Sequence, residues 1–258
     1  MANCRSHLRP RKRFRIEPMN CVILQPSYIP WRGYFHQIQK ADLFVFYDDV
    51  QFDKRGWRNR NRIKTPRGPQ WLTIPVRSKG HQVEHTPINE IEICRDTGWN
   101  RKHWLTLQQH YRQAPHFERY RDLVESFYRR DDRLLADFAI ETTVQLAAEL
   151  GLRRTRFLRS SALGISGAKT DRLLNVLAAV KATHYISGPS ARDYIEPDKF
   201  AAAGISLEFM EYRYPEYPQL YPPFEPQVSI LDLLFMAGPD ASRSIWDVAT
   251  PAARSPDS

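Results

Sequence analysis

Two apolar segments joined by a short polar loop and a short amphipathic segment constrain the fold of this chain most strongly. Residues 22–24 are apolar, residues 25–36 carry prolines, aromatic residues and Gly33, and residues 43–52 begin with a second apolar run. This order predicts a β-loop-α-β unit with parallel strands. The loop after the first strand of such a unit lies at the carboxyl edge of the sheet, where ligands bind. The segment therefore predicts an α/β fold, with a nucleotide-binding-like start and a ligand site close to Gln25.

Strands and helices continue to alternate along the rest of the chain. Apolar runs predict further short strands, and three-to-four spacing of apolar residues predicts helices. A block at about 99–150 is helical throughout and predicts a helical insertion or subdomain. The expected fold is α/β with a mainly parallel sheet. The predicted strands lie at 71–76, 157–161, 183–187 and 205–209, and the predicted helices outside the block at 170–182 and 228–236.

Charge and composition divide the chain into three parts. Residues 1–18 hold six Lys and Arg residues against one Glu and lack the apolar stretch of a signal peptide, which predicts a disordered basic leader. Residues 19–238 are expected to form one domain, followed by a flexible tail at 239–258. No apolar run reaches the roughly 18 residues of a membrane span. The three cysteines form no CxxC pair, which is typical of a reducing cytoplasm.

Two adjacent carboxylates, Asp48 and Asp49, follow the second apolar run. Successive side chains of a strand point to opposite sides, so at most one of them faces a shared cleft. The functional interpretation is an acid, a base or a metal ligand, and the alternative is a capping or turn aspartate. Asp49 is slightly favoured because it leads into the next polar loop, in which Gln51 is a candidate substrate-binding residue.

The loop after the first strand is unusually rich in polar-tipped side chains for a simple connection. Tyr28 and His36 are candidate catalytic residues, and Gln25, Gly33 and Tyr34 are candidate substrate-binding residues. Among the eight histidines, His36 is the best catalytic candidate by its location. Their spacing indicates no metal site.

A basic run at 54–64 contains six Lys and Arg residues. Arginine matches phosphate oxygens bidentately, which favours phosphate recognition. The alternatives are RNA or DNA binding with Trp57 as a stacking platform, and a solvated basic loop. The candidate substrate-binding residues of this run are Arg55, Trp57, Asn59, Arg60 and Arg62.

Two loops in the second half are candidate anion sites. Lys169 opens a predicted helix after a small-residue loop, and helix N-termini bind anions. The loop is not a P-loop, because Ala168 stands where that motif needs glycine. Ser187 and Ser190 flank the corresponding loop after the next predicted strand.

Three motifs at 25–35, 47–52 and 55–63 together resemble the WbqC-like family. Weaker similarity extends the resemblance over about residues 19–238. The resemblance implies an α/β fold and the transfer of an aminoacyl or similar group, for example onto an amino sugar. A fainter analogy is to the nucleotidyl-transferring enzymes related to pantothenate synthetase. The positions near Gly33 lack the paired histidines of those enzymes, so ATP activation does not carry over directly.

The leading hypothesis is a transferase for a small amine or amino-sugar nucleotide in polysaccharide or natural-product biosynthesis. Asp48 or Asp49 would be the general base. Arg55, Arg60 and Arg62 would hold the phosphate or carboxylate of the substrate. The alternatives are an RNA- or tRNA-binding protein, including one that uses aminoacyl-tRNA as donor, and an ATP-dependent ligase. The sequence therefore leaves ATP and an aminoacyl donor open as cofactors, and leaves the oligomeric state open.

Overall fold

A computed structural model describes residues 19–53, 56–77 and 86–246. Their core element is a five-stranded sheet, with a separate two-stranded hairpin beside it. The strands are β1 (Asn20–Leu24), β2 (Leu43–Phe46), β3 (Arg60–Thr65), β4 (Gly68–Thr73), β5 (Arg156–Arg159), β6 (His184–Ser187) and β7 (Ser206–Phe209). The helices are α1 (Arg32–Lys40), α2 (Trp99–Tyr111), α3 (Phe117–Arg129), α4 (Leu135–Glu149), α5 (Lys169–Ala179), α6 (Pro197–Ala202) and α7 (Ile230–Ala237).

The five-stranded sheet has the order β5-β2-β1-β6-β7, and all its neighbouring strands are parallel. The predicted α/β fold with a mainly parallel sheet is therefore confirmed. The chain first builds the sheet from β1 towards β5, and then returns to the other side of β1 to add β6 and β7. The order reverses between β1 and β6, and the crevice beyond their carboxyl ends is the place where open α/β sheets bind ligands.

Alternating side chains of the central strands supply the two faces of the core. On one face, Val22 and Phe44 pack in a large cluster with α1 and the helices of the 99–150 block. On the other face, Cys21 and Val45 pack against α5 and α6. None of the helices in the described ranges has the length and apolar character needed to cross a bilayer.

The basic run differs from its predicted loop structure. Residues from Arg60 onward form β3, which pairs antiparallel with β4. Asn61 and Ile63 are buried while Arg60 and Arg62 are only partly covered, so the run alternates like a strand with one solvated face. Because the run is so rich in charged residues, its period-two alternation is not apparent in the sequence.

The segment predicted to be a flexible tail is ordered in the part that the structure describes. A 3-10 helix spans Gly238–Ser244, and Ala241 and Ile245 are buried. Arg32 donates hydrogen bonds from Nη1 to the carbonyl oxygens of Pro215 and Ser244. The tail is therefore packed on the domain as far as residue 246. The predicted basic leader and residues 247–258 lie outside the described residues.

Candidate active site

A cavity of about 1060 Å³ lies at the reversal point of the sheet. Its walls come from the carboxyl ends of β1, β2 and β6, the first turn of α5, the start of the hairpin, and Tyr212 and Gln227 of the segment before α7. Eight of the residues predicted from sequence line it: Gln25, Tyr34, Asp49, Gln51, Trp57, Lys169, Ser187 and Ser190.

Asp49 lies in the cavity wall between β2 and α5. One carboxylate oxygen accepts a hydrogen bond from Ser160 Oγ, and the other is 2.6 Å from Arg172 Nη2. The Arg172 guanidinium also lies 5.3 Å from the centre of the Tyr47 ring. A carboxylate has about four lone-pair positions, so Asp49 keeps acceptor capacity towards the cavity. The arrangement fixes the orientation of a group that can take up a proton.

Asp48 is fully buried and does not line the cavity. Oδ1 accepts a hydrogen bond from the Ser161 backbone N–H at 3.0 Å, and it lies 3.2 Å from Ser160 Oγ, whose single proton it shares with Asp49. Oδ2 accepts one from Ser161 Oγ at 2.8 Å. These bonds join the end of β2 to the segment after β5, so Asp48 has the contacts of a structural residue.

Arg58 places a guanidinium in the cavity wall next to Tyr34. Its Nη1 donates to the carbonyl oxygen of Gln25 at 3.2 Å, whereas its buried Nε has no hydrogen-bond partner. No ion pair among the described residues includes Arg58. Burial lowers its pKa, and the charge on Asp53 only partly opposes this shift. Burying a charge without a partner is costly, and an anion in the cavity would supply one.

Two backbone segments add donors to the same cavity. Helix α5 starts without a side-chain cap, after Gly167 with φ of 118° and Ala168. The loop after β6 enters a 3-10 helix at Pro189–Asp193, also without a side-chain cap at Gly188. Helix starts leave N–H groups without intrahelical partners, and these groups favour anions. Both segments line the cavity that contains Arg58.

Comparison with known proteins identifies the family of the chain. A sequence model of the WbqC-like protein family matches residues 25–244. The chain belongs to the WbqC-like family. It is also 41% identical over 222 residues to the uncharacterized protein Rv1507c of Mycobacterium tuberculosis, which covers 85% of this chain and 94% of that protein. No solved structure matches.

In this WbqC-like protein, the structure places two predicted catalytic residues away from the cavity wall. Tyr28 is fully buried, and its hydroxyl lies 2.9 Å from His103 Nδ1 and 2.7 Å from Tyr128 OH. His36 lies on α1, with Nδ1 3.1 Å from Tyr214 OH. The loop after β1 folds back onto the helical block, which turns Tyr28 into the core.

Four further predicted residues, Gly33, Asn59, Arg60 and Arg62, do not line the cavity. A Cβ on Gly33 would come within 2.3 Å of the Trp31 ring, so glycine here lets α1 pass close to a cavity-lining side chain. Asn59 donates from Nδ2 to the carbonyl oxygen of Ile74 at 2.8 Å, which fixes the hairpin. Arg60 and Arg62 lie against the tryptophans of the hairpin. Arg55 lies outside the described residues.

Two cavity cations were missed as site residues. Arg58 belongs to the basic run, but Arg60 and Arg62 looked equivalent to it in sequence. Arg172 lies three residues after Lys169, one turn into α5, and this helical spacing would have placed both on one face. The described residues contain no cluster of three or more His, Cys, Asp or Glu side chains that could hold a metal ion.

We expect His103 to make the protein sensitive to acid. Burial lowers the pKa of His103 from 6.5 to about 4, so the folded protein resists its protonation while the unfolded chain does not. The free energy of unfolding is therefore unaffected by His103 above about pH 6.5, and it decreases as the pH falls from 6.5 towards 4 and the unfolded chain takes up the proton. Urea unfolding at pH 7.0 and 4.5 should show a loss on the order of 2 kcal/mol. The variant His103→Asn should lose less stability between the two pH values, and an equal loss would contradict the assignment.

Proposed function

We propose that this WbqC-like protein is a transferase whose substrate is a small amine that carries a phosphate or carboxylate group. Arg58 carries this proposal, because a half-buried guanidinium with a buried, unpartnered Nε lies in the cavity wall and has no ion pair among the described residues, which favours a negative charge beside it. The uncapped start of α5, which lines the same cavity, supplies N–H groups for the same anion. Asp49, in the same wall, supplies the base.

The proposed reaction is acyl or aminoacyl transfer to the amine. The amine nitrogen attacks the acyl carbon, and the new C–N bond replaces the bond between that carbon and the oxygen of the donor's carrier. Asp49 accepts the proton lost by the nitrogen and returns it to the departing carrier oxygen, so that the carboxylate is regenerated. Arg172 and Ser160 hold the carboxylate of Asp49 in place during this exchange. Polysaccharide or natural-product biosynthesis in the cytoplasm is the proposed context, by the family resemblance.

Arg58→Met should strongly weaken anion binding. Methionine keeps apolar bulk at the position but removes the charge and the guanidinium donors. Titration calorimetry with pyrophosphate should show binding to the wild-type protein and a loss of about 100-fold in the variant, as expected for a charge-assisted site. Arg121→Met is the matched control, because Arg121 is exposed on α3 and pairs only with Glu118. Unchanged pyrophosphate affinity in Arg58→Met would overturn the proposed function.

An ATP-dependent ligase is the second candidate. The start of α5 and the loop after β6 both line the cavity, and its volume of about 1060 Å³ is large enough for a triphosphate. A ligase would release pyrophosphate or phosphate from ATP only when a suitable amine and acid are present. A transferase would form the same amide bond from a preformed activated donor without ATP, so an assay with and without ATP separates the two.

A further inference from the structure

The hairpin carries two tryptophans that are unusually exposed. Trp57 is 38% exposed and Trp71 is 43% exposed, and their ring centres lie 5.1 Å apart at an angle of 40°. Tryptophan is the largest apolar side chain, and folding normally removes most of it from water. Two such rings side by side, open to solvent, are typical of a surface that binds a ligand.

Two arginines lie against these rings. The guanidinium carbon of Arg60 lies 4.4 Å from the centre of Trp71, and that of Arg62 lies 5.7 Å from the centres of both Trp57 and Trp71. Arg62 is held from the other side by Gln227, through hydrogen bonds to its backbone and side-chain oxygens at 3.1 and 2.9 Å. Trp57, Trp71, Arg60 and Arg62, here called the hairpin platform, therefore form a fixed set of aromatic and guanidinium planes.

The hairpin platform is continuous with the cavity. Trp57 belongs to both, and the next residue, Arg58, is the cation without an ion-pair partner among the described residues. Gln227, which fixes Arg62, also lines the cavity. A ligand whose anionic part binds at Arg58 therefore has the tryptophans within reach of a group attached to that anion.

We propose that the hairpin platform binds the nucleobase of a nucleotide-linked substrate, whose diphosphate lies at Arg58. This inference rests on the proposed function and names the substrate class. Every nucleobase has a flat face that stacks on aromatic rings and on arginine. A cavity of about 1060 Å³ exceeds the need of a simple amine and is at the upper end of ligand pockets. The amine of the substrate then extends towards Asp49.

The charges of the platform favour one nucleotide over a nucleic acid strand. A strand is held by a groove of cations along its backbone. Arg62 is instead compensated by Glu225 Oε1, 3.6 Å away, and is bound to Gln227. Its guanidinium plane remains available for stacking, while its charge is already balanced.

The test compares pyrophosphate with uridine and adenosine diphosphates by titration calorimetry. At least one nucleoside diphosphate should bind the wild-type protein more tightly than pyrophosphate. Trp71→Ala should weaken that nucleoside diphosphate by about 5- to 100-fold, the range of single-base stacking, and leave pyrophosphate within about two-fold. Trp71→Phe should restore part of the affinity. Leu105→Ala, which removes another exposed apolar side chain, at the middle of α2 and outside the cavity lining, is the control and should change neither affinity.

Three outcomes would overturn the inference. The first is equal affinity for pyrophosphate and both nucleoside diphosphates, and the second is an unchanged preference in Trp71→Ala. The third is a single-stranded RNA oligonucleotide that binds more tightly than either diphosphate, with affinity falling steeply with salt. Failure of the proposed function looks different, because pyrophosphate would then bind independently of Arg58.

Discussion

Asp49→Asn is expected to reduce turnover by about 10²- to 10⁴-fold, the usual contribution of a general base. Asparagine keeps the size of the side chain and an oxygen that can accept from Arg172 or Ser160. It cannot take the proton from the attacking amine. Steady-state kinetics with an amine substrate that binds the wild-type protein in titration calorimetry should therefore show a lower kcat. The KM and the melting temperature should stay close to those of the wild-type protein.

Asp48→Asn is the matched control for this prediction. Asp48 is buried and accepts hydrogen bonds from Ser160 Oγ and from both the N–H and Oγ of Ser161. An amide presents an NH₂ group where one carboxylate oxygen now accepts, so the variant should lose stability by about 1–3 kcal/mol. We expect its kcat to change far less than that of Asp49→Asn. Full activity in Asp49→Asn, or equal losses of kcat in both variants, would remove Asp49 from the mechanism.

The sequence was sufficient for the parallel sheet and for the position of the cavity at its carboxyl edge. The apolar runs of the strands and the β-loop-α-β order at 22–46 predict parallel strands, and the carboxyl-edge rule then places Gln25 and Ser187 at one crevice. The structure shows both residues lining one cavity. These inferences succeed because they depend on backbone direction alone.

Side-chain direction within irregular segments was not predictable in the same way. Tyr28 and Tyr34 look alike in sequence, yet Tyr28 points into the core and Tyr34 lines the cavity. Among the arginines of the basic run, Arg58 precedes β3 and faces the cavity, whereas Arg60 and Arg62 stand on the hairpin beside the tryptophans. Which arginine faces the cavity depends on where the strand begins, and a dense charge run conceals that boundary.

Asp232→Ala is expected to destabilise the protein by about 3–5 kcal/mol, as is usual when one partner of a buried charged network is removed. Asp232 is fully buried in the first turn of α7. Oδ1 accepts from Tyr111 OH at 2.8 Å, and Oδ2 accepts from Tyr217 OH at 2.8 Å and Gln219 Nε2 at 2.9 Å. Without the carboxylate, these buried donors lose their acceptor. Thermal unfolding should show a melting temperature lower by on the order of 10 °C.

The contribution of Asp232 to the stability of the protein should also depend on pH. Burial raises its pKa above the usual 3.8, and the three hydrogen bonds only partly offset the effect. The folded state therefore binds the proton more tightly than the unfolded chain does. This tighter proton binding stabilises the folded state most below about pH 3.8, and the stabilisation is lost as the pH rises through the raised pKa of Asp232. The stability of Asp232→Asn relative to the wild-type protein should therefore increase as the pH rises above 3.8.

Asp232→Ala should also affect ligand binding in the cavity, because Asp232 contacts the segment before α7. Gln219 bonds to Asp232 and to the backbone of Glu225, and Glu225 and Gln227 in turn hold Arg62 beside the hairpin tryptophans. Asp232→Ala should therefore weaken the nucleoside diphosphate more than pyrophosphate, even at temperatures where the variant is folded. Equal weakening of both ligands, or a melting temperature within about 2 °C of the wild-type value, would show that Asp232 does not organise this segment.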